Sequence, residues 1–305
     1  MSDKDKYKHY TKNNDDIPIF SRPWWLDAVS KEGYWDVILY EKNNNIYGSL
    51  PFFIKKKNFF KLSLLPRLTQ KLGPHFADSE INDNQIIFSY LSRNLPYTNY
   101  FDQNCHHTIN SQKIFINEGF TVKNMRTCII EDIKNIKEIK RNFSKNRKYD
   151  LNKAKENKLN TNFNVNPNLF YEEHVKNLKK RNLKVNYSKD FINRLFDACT
   201  QNKSGKIIGV HDNSHKYLAL CFIVWDSQYA YLIGLTTNSD NLKTGASSLL
   251  ILNSINYLIG KTKNFDFEGS MDENIYKFYN SFGTITKNYF KIKRIKPNFL
   301  KVFLE

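Results

Sequence analysis

The chain is short of cysteine, glycine and acid. Its four cysteines, Cys105, Cys128, Cys199 and Cys221, have no CxxC spacing, and the last three lie in apolar runs. That pattern excludes a disulfide framework and reads as reduced, buried core thiols. Cys105-His106-His107 is a run of ligand-type residues, but neighbours in sequence do not readily converge on one ion and no partner cluster stands elsewhere, so no metal site is expected. Neither a GxGxxG loop nor a Walker loop is present, which argues against a doubly wound nucleotide-binding fold. No segment approaches the roughly 20 apolar residues that cross a bilayer, and the opening residues lack the apolar stretch of a secretory signal. A soluble, cytoplasmic protein with no transmembrane segment is expected.

Acid is the scarcest class relative to its counterpart. Thirty Asp and Glu face 47 Lys and Arg, leaving a formal net charge of +17 over 305 residues. Such an excess suits an anionic partner such as nucleic acid, a phosphorylated precursor or an acidic membrane face. A compositional reading competes with it, because lysine and asparagine recur everywhere, as in the turns at 42–45 and 55–57. Charge gathered on one face discriminates better than charge alone.

What is present is a repeat. Residues 36–54 (DVILYEKNNNIYGSLPFFI) align without a gap on 206–224 (KIIGVHDNSHKYLALCFIV), and both read as strand, polar turn, strand. Further on, YFDQN ending at Asn104 matches NFDFE ending at Glu268, and at the same offset Gly119 meets Gly283 and Lys123-Asn124 meets Lys287-Asn288. Two similar α/β domains are therefore expected, as the length also suggests. The division expected is a polar tail at 1–16, a first domain at 17–133 that is a degenerate copy, a basic linker helix at 134–158 and a second domain at 159–305.

Within the first domain the pattern predicts a helix after Ser21 with Pro23 in its first turn, strands at 34–41 and 46–54, an irregular stretch over 59–76, a helix at 82–93, a strand at 99–103, a short helix at 112–118 and a strand at 121–130. The second is predicted as strand 160–165, helices 168–181 and 189–201, hairpin 205–224, strand 230–235, helix 245–259, strand 264–267, helix 272–281 and closing strands 284–293 and 299–304. The order implies an α/β fold with mixed sheets.

The sharpest chemical signal is FDFEGS at 265–270. On an extended strand alternate side chains face opposite ways, so Asp266 and Glu268 are expected on one side and Phe265 and Phe267 in the core. Gly269 then releases the chain, and Ser270 or Asp272 caps the next helix. Paired carboxylates at a strand end can tune one another for proton transfer; one solvated acid beside a capping turn is the plainer alternative. The first repeat keeps Asp102 but has Gln103 and Asn104 in place of Phe-Glu. Lys145, Arg147, Lys148, Lys153 and Lys155 form a second signal, with Lys145, Lys148 and Lys155 sharing a helix face suited to phosphates or to plain solvation, and Leu151 and Ala154 turned to protein. Gly245, Ala246 and Ser247 form the third, a turn opening an apolar helix whose first amides suit an anion or a carbonyl oxygen. Tyr276 and Tyr279 follow the acids on the next helix.

The linker FSKNRKYDLNKAKENKL, the hairpin HKYLALCFIVW, the helix TGASSLLILNSINYLI and the segment FDFEGSMDENIYKFYNSFG resemble, in that order, the second domain of Fem-type aminoacyltransferases and their relatives, which are built from two tandem GNAT-like domains. The resemblance spans roughly 17–305, since WWLDAV and the first hairpin suit the first domain. It implies N-acyl transfer from acyl-coenzyme A or aminoacyl-tRNA, as co-substrate rather than permanently bound cofactor, to an amino group of a small-molecule or lipid-linked sugar or peptidoglycan-type precursor. Contact with tRNA is implied with it, and a basic protein without an anchor can meet the anionic inner membrane face transiently through its charge alone. On this reading Asp266 or Glu268 orients or deprotonates the amine, Tyr276 or Tyr279 protonates the leaving group, and Lys145, Arg147 and Lys148 with Gly245, Ala246 and Ser247 hold the donor. GNAT enzymes that use coenzyme A carry Gln or Arg, two residues, Gly, one residue, then Gly or Ala at the pyrophosphate loop; the stretch 242–247 keeps only Gly245, which keeps aminoacyl-tRNA in play. A non-catalytic basic protein that binds RNA or an anionic glycan is the alternative of a different class.

Overall fold

The computed structural model describes residues 1–77, 83–237 and 242–297. The chain forms two compact units, Met1–Met125 with the segment from Asn288, and Arg126–Lys287.

In the first unit the expected polar tail is a helix, α1 (Asp3–Lys12), capped by Ser2 and carrying acids in its first turn and bases in its last. It is anchored by Tyr7, which is fully buried and donates to the carbonyl of Ser21 at 3.0 Å. Helix α2 (Pro23–Val29) starts on Pro23 as expected and buries Trp25, whose indole N–H donates to Thr69 Oγ1 at 2.9 Å. Strands β1 (Tyr34–Lys42) and β2 (Asn45–Lys57) pair antiparallel across Asn43 and Asn44, both at positive φ, as a tight hairpin turn demands. The stretch expected to be irregular begins with a strand, β3 (Phe60–Leu64), because FKLSL alternates apolar and polar residues before the prolines take over. Then come β4 (His75–Phe76), α3 (Asn84–Arg93), β5 (Tyr100–Asn104), which runs parallel to β3, α4 (Lys113–Ile116) and β6 (Thr121–Ile130). Phe88, Leu91, Phe101, Phe115 and Phe120 fill the core.

The basic segment 134–158 lies in the second unit and is two helices, α5 (Ile136–Asn142) and α6 (Lys145–Glu156). Phe143 leaves helical geometry at ψ 143° and Ser144 caps the second helix. Ile139, Phe143 and Leu151 belong to the unit's own core and Ala154 is buried, so the segment is an integral part of the unit rather than a linker. Next are β7 (Asn160–Asn162), α7 (Pro167–Lys180), α8 (Lys189–Gln201), the strands β8 (Gly205–His211), β9 (Tyr217–Trp225) and β10 (Tyr229–Thr237), α9 (Ala246–Leu258), β11 (Asn264–Asp266), α10 (Glu273–Asn280) and β12 (Ile285–Ile295). The sheet order is β6-β11-β10-β9-β8-β7, antiparallel except for the pair β10 and β11, which α9 connects. The expected strand at 299–304 lies outside the described residues.

The two repeats share one plan: hairpin, third strand, helix, parallel strand, helix, closing strand. In the first unit β5 pairs with β12, from Lys291 opposite Asn104 to Ile295 opposite Tyr100. In the second, β11 pairs with β6, Phe265 opposite Ile130 and Asp266 opposite Ile129. Each parallel strand is thus bordered by the closing strand of the other repeat. The chain has a mixed α/β fold with mixed sheets, and among the described residues no helix is long and apolar enough to cross a membrane.

Candidate active site

In the second unit the parallel pair is registered only from Tyr229 to Tyr231 on β10 and from Asn264 to Asp266 on β11. Residues 232–237 of β10 run on past the end of their parallel neighbour, and a bulge interrupts the pairing with β9 between Leu232 and Gly234. Ends of parallel strands that open before a helix N-terminus are where α/β sheets place ligands. The expected acids, tyrosines and glycine turn all lie on segments that follow these two ends.

The acids differ from the expected pair on one strand face. Strand β11 stops at Asp266, which is fully buried along with Phe265 and Phe267. Its Oδ1 accepts the hydroxyl of Thr127 and the backbone N–H of Glu268, the latter at 2.7 Å. Glu268 stands at φ 65° and Gly269 at φ 54°, so strand alternation has ended before the second acid is reached. A Cβ on Gly269 would lie 2.1 Å from the carbonyl oxygen of Arg126, so the turn is pressed onto β6 where only glycine fits. Asp266 therefore builds the turn, and Glu268, half-buried with its Oε1 shielded from solvent, is the second carboxylate that the turn positions.

Arg126 was not singled out in the sequence. Its Nε donates to the carbonyl of Ser270 at 3.1 Å, its Nη2 to Glu273 Oε1 at 2.5 Å, and its guanidinium lies 3.8 Å from the ring centroid of Tyr276. One side chain thus ties the far end of the turn that carries Glu268 to the first turns of α10. Tyr276 is half-buried and its hydroxyl is 2.9 Å from Thr286 Oγ1. Tyr279 packs at a tilt of 36° against Phe267, with ring centroids 5.0 Å apart. Burial, with a further push from the Glu268 charge, raises its phenol to about 12, so it keeps its proton at neutral pH.

The donor-side residues divide. Gly245, at φ 83°, caps α9 and lies against α6. Ala246 is buried, and Ser247 Oγ is 2.7 Å from Thr237 Oγ1. Arg147, expected on phosphate, is engaged inside the protein: it donates to Ser248 Oγ at 3.1 Å and pairs with Asp150 at 2.9 Å, while Ser248 donates to Asp150 at 2.8 Å. This closed triangle ties α6 to the first turn of α9. Lys145 and Lys148 are exposed, and Lys148 donates to the carbonyl of Arg141 at 2.7 Å. In the first unit Asp102 accepts Tyr100 at 2.9 Å and pairs with Lys291 at 3.1 Å, an internal tie.

Helix α7 adds groups that sequence reasoning missed. His174 Nδ1 lies 2.5 Å from Thr236 Oγ1, with its ring between Phe170 and Tyr187, and Asn177 donates to the carbonyl of Thr237. Their i, i+3 spacing on one helix was the available signal. Burial lowers His174 to about 4, with a smaller push from Arg181, and burial likewise lowers His75 of the first unit to about 4. An unfolded histidine titrates near 6.5, so on acidification the unfolded chain takes up protons that these folded rings refuse. Stability is full above about pH 6.5 and declines toward pH 4. Melting temperature measured across that window is expected to fall, and to fall less steeply in His174→Gln, which keeps a hydrogen-bonding group for Thr236.

By sequence the chain matches no protein-family model and no curated protein. By structure it is similar to FemX, at TM-score 0.74 and 11% identity, over 100% of this chain and 98% of that one. It is similar as well to a putative lysylphosphatidylglycerol synthetase C-terminal domain from Agrobacterium fabrum, at TM-score 0.57 and 10% identity over 92% and 93% of the two chains. A tandem GNAT protein from the clavulanic acid biosynthesis pathway matches at TM-score 0.55 and 7% identity over 92% and 97%. At these identities the likeness is one of fold: the chain has the Fem-like architecture of two tandem GNAT-like units.

Proposed function

We propose that the protein is an N-acyltransferase that moves an acyl or aminoacyl group from acyl-coenzyme A or aminoacyl-tRNA to an amino group of a cell-envelope sugar or peptide precursor. The observation that carries this reading is the turn after β11, where Asp266 and Arg126 hold Glu268 at the end of the parallel pair. The likeness in fold to FemX supports the reaction class.

In this mechanism the acceptor nitrogen attacks the acyl carbonyl carbon, and its proton passes to the Glu268 carboxylate. A carboxylate fixed by a rigid turn at the end of the parallel pair is positioned for that transfer. The tetrahedral intermediate collapses with loss of the thiolate or of the tRNA oxygen, which takes a proton from a tyrosine hydroxyl, Tyr279 or Tyr276. Asp266 orients the turn and does not react. The amide of Ser247, at the positive end of α9, meets the donor's phosphates, with the exposed Lys145 and Lys148 of α6 as cations. The stretch 242–247 keeps only Gly245 of the coenzyme A loop pattern, which supports keeping aminoacyl-tRNA as a donor.

Glu268→Gln keeps the shape and removes the base. Transfer to an amine acceptor is expected to drop by about a hundredfold or more, with donor affinity and melting temperature unchanged. Transfer that persists in this variant removes Glu268 from the chemistry. A protein that binds anions with steep salt dependence and forms no product in either version is a binding protein.

A further inference from the structure

The tip of the β2–β3 hairpin in the first unit has a composition that folding does not explain. Lys57 opposite Phe60 is the last registered pair, so Asn58 and Phe59 form a two-residue turn, with Asn58 at φ 53°. Phe59 at that turn is fully exposed, the only aromatic so placed among the described residues. Behind it stand Lys56, Lys57 and Lys61, all exposed, and Lys56 lies directly opposite Lys61 in register. Like charges facing each other across a strand pair are unfavourable. The nearby acid, Glu32, is already engaged by Lys55 and Arg67, and among the described residues none of the three exposed lysines is in an ion pair.

We propose that this hairpin tip docks the protein reversibly on an anionic bilayer, with the Phe59 ring entering the boundary between headgroups and acyl chains and the ammonium groups of Lys56, Lys57 and Lys61 meeting lipid phosphates. The inference goes beyond the acyl-transfer reading and does not depend on it. Aromatic rings gain most at the membrane interface, and cations near an anionic surface relieve the repulsion that Lys56 and Lys61 carry in water. A cluster kept only for solubility has no use for an exposed phenyl ring at its apex. Nucleic acid is a poorer fit: base stacking uses a ring on a platform, as on a sheet face, whereas a ring at the apex of a turn has no wall beside it. A bilayer requires only a protruding tip.

Co-sedimentation with vesicles tests the proposal on the full chain, using phosphatidylcholine alone and an equimolar mixture with phosphatidylglycerol, at low and high salt. The expected result is binding to the anionic vesicles only, weakened by salt. Phe59→Ala is expected to lower the affinity about tenfold, and alanine at Lys56 or Lys61 about fivefold each. Ile116→Ala, an exposed apolar residue of the same unit, is expected to change nothing. A Phe59→Trp version should show fluorescence quenched by brominated lipid beyond that of the native tryptophans. Circular dichroism confirms that the variants fold. The proposal is overturned by equal binding to neutral vesicles, by Phe59→Ala binding within twofold of the native chain, by absence of added quenching, or by binding single-stranded RNA and not vesicles.

Discussion

Alanine at Gly245 is expected to destabilise the protein by at least about 3 kcal/mol. Two costs combine there. Gly245 has φ 83°, a conformation that an L-residue adopts at about 1 kcal/mol or more. In addition, a Cβ would sit 2.0 Å from the carbonyl oxygen of Asp150 and 2.9 Å from the amide nitrogen of Ala154. Both are backbone atoms of α6, so neither can swing aside. Separation of the helices is opposed by the triangle of Arg147, Asp150 and Ser248 and by Asn157, which donates to the carbonyl of Thr244 at 3.2 Å. Gly260 separates the two costs, because it has φ 78° and an added Cβ would meet nothing within 4 Å. Its alanine variant should lose only about 1 kcal/mol. Urea unfolding of both variants checks this, and equal losses would show that the contact between α6 and α9 is not tight.

The second large effect concerns where the chain can be cut. A fragment of residues 159–305, the span read from sequence as a complete domain, is expected to show no cooperative thermal transition. It lacks the part of β6 that borders β11 at Ile129 and Ile130, and it lacks Ile139, Phe143 and Leu151 from its core. Removing a sheet neighbour and several core side chains together removes more than the net stability of a typical domain. A fragment of residues 126–287 keeps those groups and is expected to melt cooperatively. Differential scanning calorimetry of the two fragments decides the matter. A sharp transition in the shorter one would contradict the pairing described for β11.

The contrast between these fragments shows which features were legible in the sequence. Local patterns carried far: the hairpins at 36–54 and 206–224, the strand at 121–130 and the helix at 189–201 follow from apolar periodicity and turn residues over short windows. The partner of β11 was not legible, because strand pairing over such a separation leaves no local trace. The helix at the start of the chain was missed although its signals were present, Ser2 before Asp3 and Asp5 with Lys12 at the end. A single anchoring tyrosine is too little apolar periodicity to mark a face.

At the candidate site the residue types were readable and their geometry was not. Asp266 and Glu268 stood out because a short apolar strand ended in two acids and a glycine. The rule of alternating faces holds only while the backbone stays extended, and it fails at Glu268, where φ is 65°. Arg147 was read as a free cation within a basic run. Asp150, three residues on, was the sign that its charge is spent inside the fold. Arg126 looks like an ordinary strand residue until the turn it clamps is folded against it.

Titration calorimetry of the native protein and of Ser247→Asp with acetyl-coenzyme A and with aminoacyl-tRNA tests the central claim most directly. An acid in the first turn of α9 favours the helix dipole and repels an anionic donor, so it separates binding from folding. The native protein is expected to bind one of the two donors with a dissociation constant below about 1 mM, roughly 4 kcal/mol, and the variant to bind it at least about tenfold more weakly. Binding of neither donor, or equal binding by both proteins, would contradict an acyl-transfer site at the ends of β10 and β11.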